Sequence, residues 1–161
     1  MIEKQIEEQI LGALSTVGGE NFTGLWGADK TEQADDNLIV RVLVNPLLVV
    51  DGQILKTTVE IALACRKECD TDGTIFSTAS NTLLQILKGW ESDYYAAVSS
   101  LSCEGFVPCA RIIRDTDGTL DVVSSPVSNI TNDAEYDPTN SASVLKCTFE
   151  LTGTPQTSTN D

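Results

Sequence analysis

The sequence predicts an α+β domain: an antiparallel sheet containing a long hairpin, with an N-terminal and a central amphipathic helix packed on one face. Three observations carry that prediction. Residues 38–65 are two apolar runs flanking Asp51-Gly52, a strong two-residue turn signal. Residues 2–17 and 74–89 repeat apolar side chains at helical spacing. Leu145, Cys147, Phe149 and Leu151 alternate with Lys146, Thr148 and Glu150, the period of a half-buried strand.

In the first helix Ile2, Ile6, Ile10, Ala13, Leu14 and Val17 cluster on one arc, and Gly18-Gly19 ends it. Residues 20–37 read as a loop whose large apolar groups, Phe22, Leu25 and Trp26, must pack against something. The hairpin has a testable register. If Val50 pairs with Gln53, then Leu38, Val40, Val42 and Val44 face Cys65, Leu63, Ile61 and Val59, all apolar. The other face opposes Leu43 to Glu60 and Arg41 to Ala62, leaving Arg41 and Glu60 as diagonal neighbours in ion-pair reach. Pro46 has no N–H to donate, so this is an edge strand there, or it carries a bulge that shifts the parity.

Residues 68–74 form a turn, with Asp72 or Thr74 as N-cap of a helix to about Gly89. Ile75, Phe76, Ala79, Leu83, Ile86, Leu87 and Trp90 span an arc of roughly 120°, which fits it to cover the hairpin. Residues 91–105 are compatible with a short helix or a loop. Residues 106–113 and 120–123 read as two strands joined by Asp115-Thr-Asp117-Gly118-Thr119. Residues 124–142, rich in Ser, Asn, Thr, Asp and Pro, read as a long exposed loop. One domain over residues 1–152, followed by a polar tail over 153–161, is the resulting organisation.

At 161 residues with 41% hydrophobic content, a chain can bury roughly 68–70% of its unfolded surface. Ten basic against 24 acidic residues give a net charge of −14, which repels DNA, RNA and anionic membranes. No secretory signal or membrane-spanning run is visible, and an odd number of cysteines, five, fits a reducing cytosol.

The absence of histidine excludes Ser–His–Asp, Cys–His and His-ligated metal centres within one chain. Cys65, Cys69, Cys103, Cys109 and Cys147 lack paired Cys-x-x-Cys knuckles, so zinc is not expected. Asp70-Thr-Asp72-Gly73 mimics a calcium loop, but its twelfth position is Ala79 where a bidentate Glu is required. The acidic residues form no pair inside an apolar window, as a raised carboxyl pKa for glycosidic chemistry requires. No catalytic residue, metal or cofactor is expected.

The Ile2–Val17 helix, the Val59-Glu-Ile-Ala-Leu strand leading through a polar turn to Ile75–Leu87, and the closing Leu145–Leu151 strand give an order of elements that resembles the tail-terminator and tail-completion proteins of long-tailed bacteriophages. The resemblance implies a structural virion protein that forms a ring, usually a hexamer, capping the tail tube and joining it to the neck. It would assemble in the host cytoplasm. Its partners would be copies of itself, the tail-tube protein and the neck or connector protein, with DNA only passing through the channel and no membrane. Trp26, Arg41, Glu60, Pro126, Val127, Ile130 and Tyr136 are the candidate oligomer or partner contacts. The alternatives are another ring-forming tail-tube or neck protein, and a small cytosolic enzyme or metal-binding module.

Overall fold

A computed structural model describes residues 2–18, 38–51, 54–109, 111–114, 121–139 and 141–155. Helix α1 spans Ile2–Gly18 and buries Ile6, Ile10 and Leu14, spaced four apart on one stripe. Helix α2 spans Thr74–Ser92 and buries Ala79, Leu83, Leu87 and Trp90. The segment left open between helix and loop contains a third helix, α3 (Tyr94–Leu101), which buries Ala97 and Leu101. Its start is fixed by Asp93, whose carboxylate accepts the N–H groups of Tyr95 and Ala96.

The strands are β1 (Ile39–Val44), β2 (Leu48–Asp51), β3 (Ile54–Arg66), β4 (Val107–Pro108), β5 (Arg111–Arg114), β6 (Asp121–Ser124), β7 (Val127–Asp137) and β8 (Ala142–Thr154). Six of them form one curled antiparallel sheet, while β5 and β6 pair separately. The two 13-residue strands β3 and β8 lie side by side at its centre. β1 and β2 share the free side of β3, and β7 and β4 share the free side of β8. The sheet is thus four ribbons wide, each antiparallel to the next. One face carries Val40, Val42, Val59, Ile61, Leu63, Cys147, Phe149 and Leu151, which join the buried residues of all three helices in a single core. Trp90 meets Phe149 edge-on, with ring centroids 6.3 Å apart.

The predicted hairpin register holds through β1: Val40 opposes Leu63, Val42 opposes Ile61 and Val44 opposes Val59. Pro46 then breaks the strand. Beyond it Leu48 opposes Lys56, a shift of one residue, and Asp51 opposes Ile54; Gln53, expected opposite Val50, lies outside the described residues. Thr57, buried at the break, donates its hydroxyl to the Asn45 carbonyl at 2.6 Å. The parity shift expected of a bulge at Pro46 is therefore present.

Four expectations need correction. Residues 124–142 are not a long exposed loop; most of them form β7, which pairs with β8 from Val127–Leu151 to Asp137–Ala142. The strand sits at the sheet edge and is exposed on both faces from Thr131 to Tyr136, so it shows no alternation to read. An irregularity between Ser128 and Thr131, with Asn129 at φ 55°, disguises it further. The strand expected over 106–113 is divided between β4 and β5: Cys109 still donates to the Thr152 carbonyl, and beyond it β7 takes the same side of β8 from Val127 onward. β8 continues to Thr154 with Gly153 buried, beyond the domain end placed at 152.

The fourth correction concerns the α2 cap. Gly73 occupies the N-cap position with φ 75°, a conformation open to glycine. Asp70 is buried and its carboxylate accepts the N–H groups of Ile75 and Phe76, both at 2.9 Å. Exposed Asp72 accepts the Thr74 N–H, and that bond, ahead of the Thr74 hydroxyl, holds its carboxyl below the ordinary value of 3.8.

Candidate assembly interface

A sheet edge presents backbone N–H and C=O groups that want partners, and proteins either block such edges or use them. On the β1 side, α1 does the blocking. Glu7 and Glu3, one helical turn apart, accept the N–H groups of Val44 at 3.0 Å and Leu47 at 3.2 Å. Past Pro46 the edge changes character. Leu48, Val49 and Val50 are exposed by 65%, 67% and 52%, and Leu43 on β1 is exposed beside them. Val49 opposes Leu55 and lies on the helix-bearing face; Leu48 opposes Lys56 and lies on the other.

The opposite edge is β7. On the helix-bearing face it sets Asn132, Ala134 and Tyr136 beside Cys147, Leu145 and Ser143. On the other face Thr131, Asp133 and Glu135 stand beside Thr148, Lys146 and Val144. Lys146 reaches Glu135 at 3.8 Å. Tyr136 is 53% exposed and borders a shallow cavity of about 260 Å³ shared with Pro138 and Val144.

Between the two edges the helix-free face is a ladder of ion pairs. Arg41 meets Glu60 at 2.8 Å and Lys56 meets Glu150 at 2.8 Å, with Asn129 donating to the same Glu150 at 3.0 Å. Half-exposed pairs of this kind contribute only about 0–1 kcal/mol each. Their main effect is to keep that face soluble and in register.

The seven predicted contact residues therefore separate. Arg41 and Glu60 form the expected ion pair on the helix-free face. Tyr136 is exposed as expected of a contact. Pro126 and Val127 are buried and Ile130 packs against the core, so these three serve their own domain. Trp26 lies outside the described residues. Sequence reasoning missed Leu48, Val49 and Val50, because it placed them in a hairpin of uniform register. The available signal was Pro46, which isolates them on a short edge strand. It also missed Tyr94 and Tyr95, a T-shaped pair 5.3 Å apart at the start of α3, with Tyr95 80% exposed.

Three of the thiols are quiet. Burial pushes Cys147 up to about 11 and raises Cys103 and Cys109 above their ordinary value, so all three are protonated near neutrality. Among the described residues no three His, Cys, Asp or Glu side chains gather in a metal-binding group, and no helix is long and apolar enough to cross a membrane. Neither a protein-family model nor a curated protein matches the chain.

Proposed function

We propose that this chain is a structural subunit that works by self-association, a tail terminator of a long-tailed bacteriophage whose ring caps the tail tube and joins it to the neck. The observation that carries the reading is the separation of unlike exposed patches. Aliphatic side chains cluster at Leu43 and Leu48–Val50 on one edge of the sheet, and Tyr136 stands with carboxylates on the other. Unlike patches on one subunit favour head-to-tail contacts, which close into a ring when the rotation allows. The order of elements, from α1 through the long hairpin and α2 to β8, supports the narrower assignment by its resemblance to tail terminators.

The charge fits the same role. A ring of subunits that each carry −14 offers passing DNA a wall to which it does not adhere. Electron microscopy and native mass spectrometry of the purified protein test the proposal. Single closed rings, about six copies by the resemblance and symmetry argument, that bind the end of a tail tube are the expected result. Long stacks would indicate a tube protein instead, and a monomer at every concentration, with or without tail tubes, would sink the self-association reading. A basic or neutral lumen would remove the charge argument.

A further inference from the structure

We propose that the subunit contact in this ring is strand upon strand, with β2 of one copy adding to the free edge of β7 of the next. The inference rests on the ring reading and specifies which surfaces meet. Strand direction comes first. Among the described residues four ribbons, each antiparallel to its neighbour, make up the sheet. An even number of ribbons means that its two edges run in opposite directions. Copies related by rotation about a ring axis keep their strand directions, so β2 meets β7 antiparallel and the ladder continues unbroken. An odd number would have brought the edges together parallel.

The same rotation keeps the helix-bearing face of every copy on one side. Val49 then shares a face with Ala134 and Tyr136 of the next copy, and Leu48 shares the other face with Asp133 and Glu135. Charge selects the pairing as well. Two β7 edges in contact would set carboxylates against carboxylates, which is unfavourable between opposed strand residues. β2 carries no charge from Leu48 to Val50 and meets β7 without repulsion. The neighbouring part of its own edge is already occupied, at Val44 and Leu47, by the α1 glutamates. A second copy of this chain thus supplies both the backbone polarity and a strand uncharged from Leu48 to Val50 for β7 to accept.

The test uses the full chain and two measurements. Leu48 is exposed, so Leu48→Asp and Leu48→Lys should fold alike, checked by their melting curves. On the face shared with Asp133 and Glu135, Leu48→Asp should raise the concentration needed for assembly by about tenfold or more while Leu48→Lys leaves it unchanged or lowers it. Equal losses from both, or none from either, would overturn the pairing. In the second measurement, protein carrying Val49→Cys is mixed with protein carrying Ala134→Cys or Tyr136→Cys, oxidised, and mapped by mass spectrometry. A link from position 49 of one chain to 134 or 136 of another is expected. Links between two copies of position 49 would mean a two-fold contact instead and overturn it. Intact rings that give neither the charge split nor the cross-link would reject this contact and leave the ring reading standing, whereas a wild-type monomer under all conditions would reject both.

Discussion

The Glu7 carboxylate on α1 accepts the backbone N–H of Val44 on β1 at 3.0 Å, so a helix side chain takes the place that another strand would fill. Glu3 repeats the contact one turn earlier at Leu47. Together they cap the edge at Val44 and Leu47, next to β2, where Leu48, Val49 and Val50 stay exposed. Amides already bonded to helix carboxylates are not offered to an incoming strand.

Glu7→Ala should therefore expose the Val44 amide. Its hydrogen exchange should accelerate relative to Val42, while global stability falls by about 1 kcal/mol. At this chain length that is a melting decrease of about 2–4 °C. Unchanged exchange at Val44 would mean that α1 does not hold this edge in solution.

Asp70→Ala should cost more than Asp72→Ala. Asp70 is buried and satisfies two α2 N–H groups, and loss of such a cap costs about 1–2 kcal/mol. Asp72 is fully exposed, and of the α2 N–H groups it bonds that of Thr74. Because the Thr74 N–H lowers the Asp72 pKa, its contribution is present above pH 3.8 and is lost as pH falls through the folded value. Thermal melts of the two variants at pH 7, and of Asp72→Ala against wild type down to pH 3, check both statements.

Gly153→Ala should be strongly destabilising although Gly153 has no unusual backbone angle. A methyl group there would collide with Cζ of Phe106 and stand 2.7 Å from the Val107 carbonyl oxygen. Phe106 is fully buried and has nowhere to retreat, so about 1–3 kcal/mol is lost to overpacking. Urea denaturation measures it, and the double variant Gly153→Ala with Phe106→Leu should recover part of the loss.

Alkaline pH should weaken the fold through its thiols. Cys147 is buried, and its pKa rises from 9.0 to about 11 on folding. The unfolded chain then binds fewer protons than the folded one between those values. Stability is full below 9 and declines as pH rises toward 11, with Cys103 and Cys109 acting in the same direction. Cys147→Ala should shallow the decline in urea midpoint between pH 8 and 10.5. Native Cys147 should also resist thiol reagents that label it readily in urea.

The β1–β3 register was legible because period-two alternation on two facing runs admits one pairing that sets Val40, Val42 and Val44 against Leu63, Ile61 and Val59 on the buried face. α1 and α2 were legible for the corresponding reason at helical period, with Ile6, Ile10, Leu14, Leu83 and Leu87 all buried as read. β7 was not legible, since a strand exposed on both faces has no pattern that distinguishes it from a polar loop. The same blindness hid the candidate interface. Leu48–Val50 look like ordinary strand residues in sequence, and only the break at Pro46 and the placing of α1 leave them bare.

Local periodicity and turn chemistry acted within stretches short enough for the sequence alone to determine: two amphipathic helices, the β1–β3 pairing, the closing strand and the Arg41–Glu60 ion pair. Which strands became edges, which edge α1 would block, and which carboxylate would cap α2 were decided only in three dimensions. Each of those joins groups far apart in the chain, Glu7 to Val44 and Val127 to Leu151, or reaches across a turn, as Asp70 does to Phe76. The physical reason is that an edge is defined by what fails to pack beside it, and no run of residues records the absence of a neighbour.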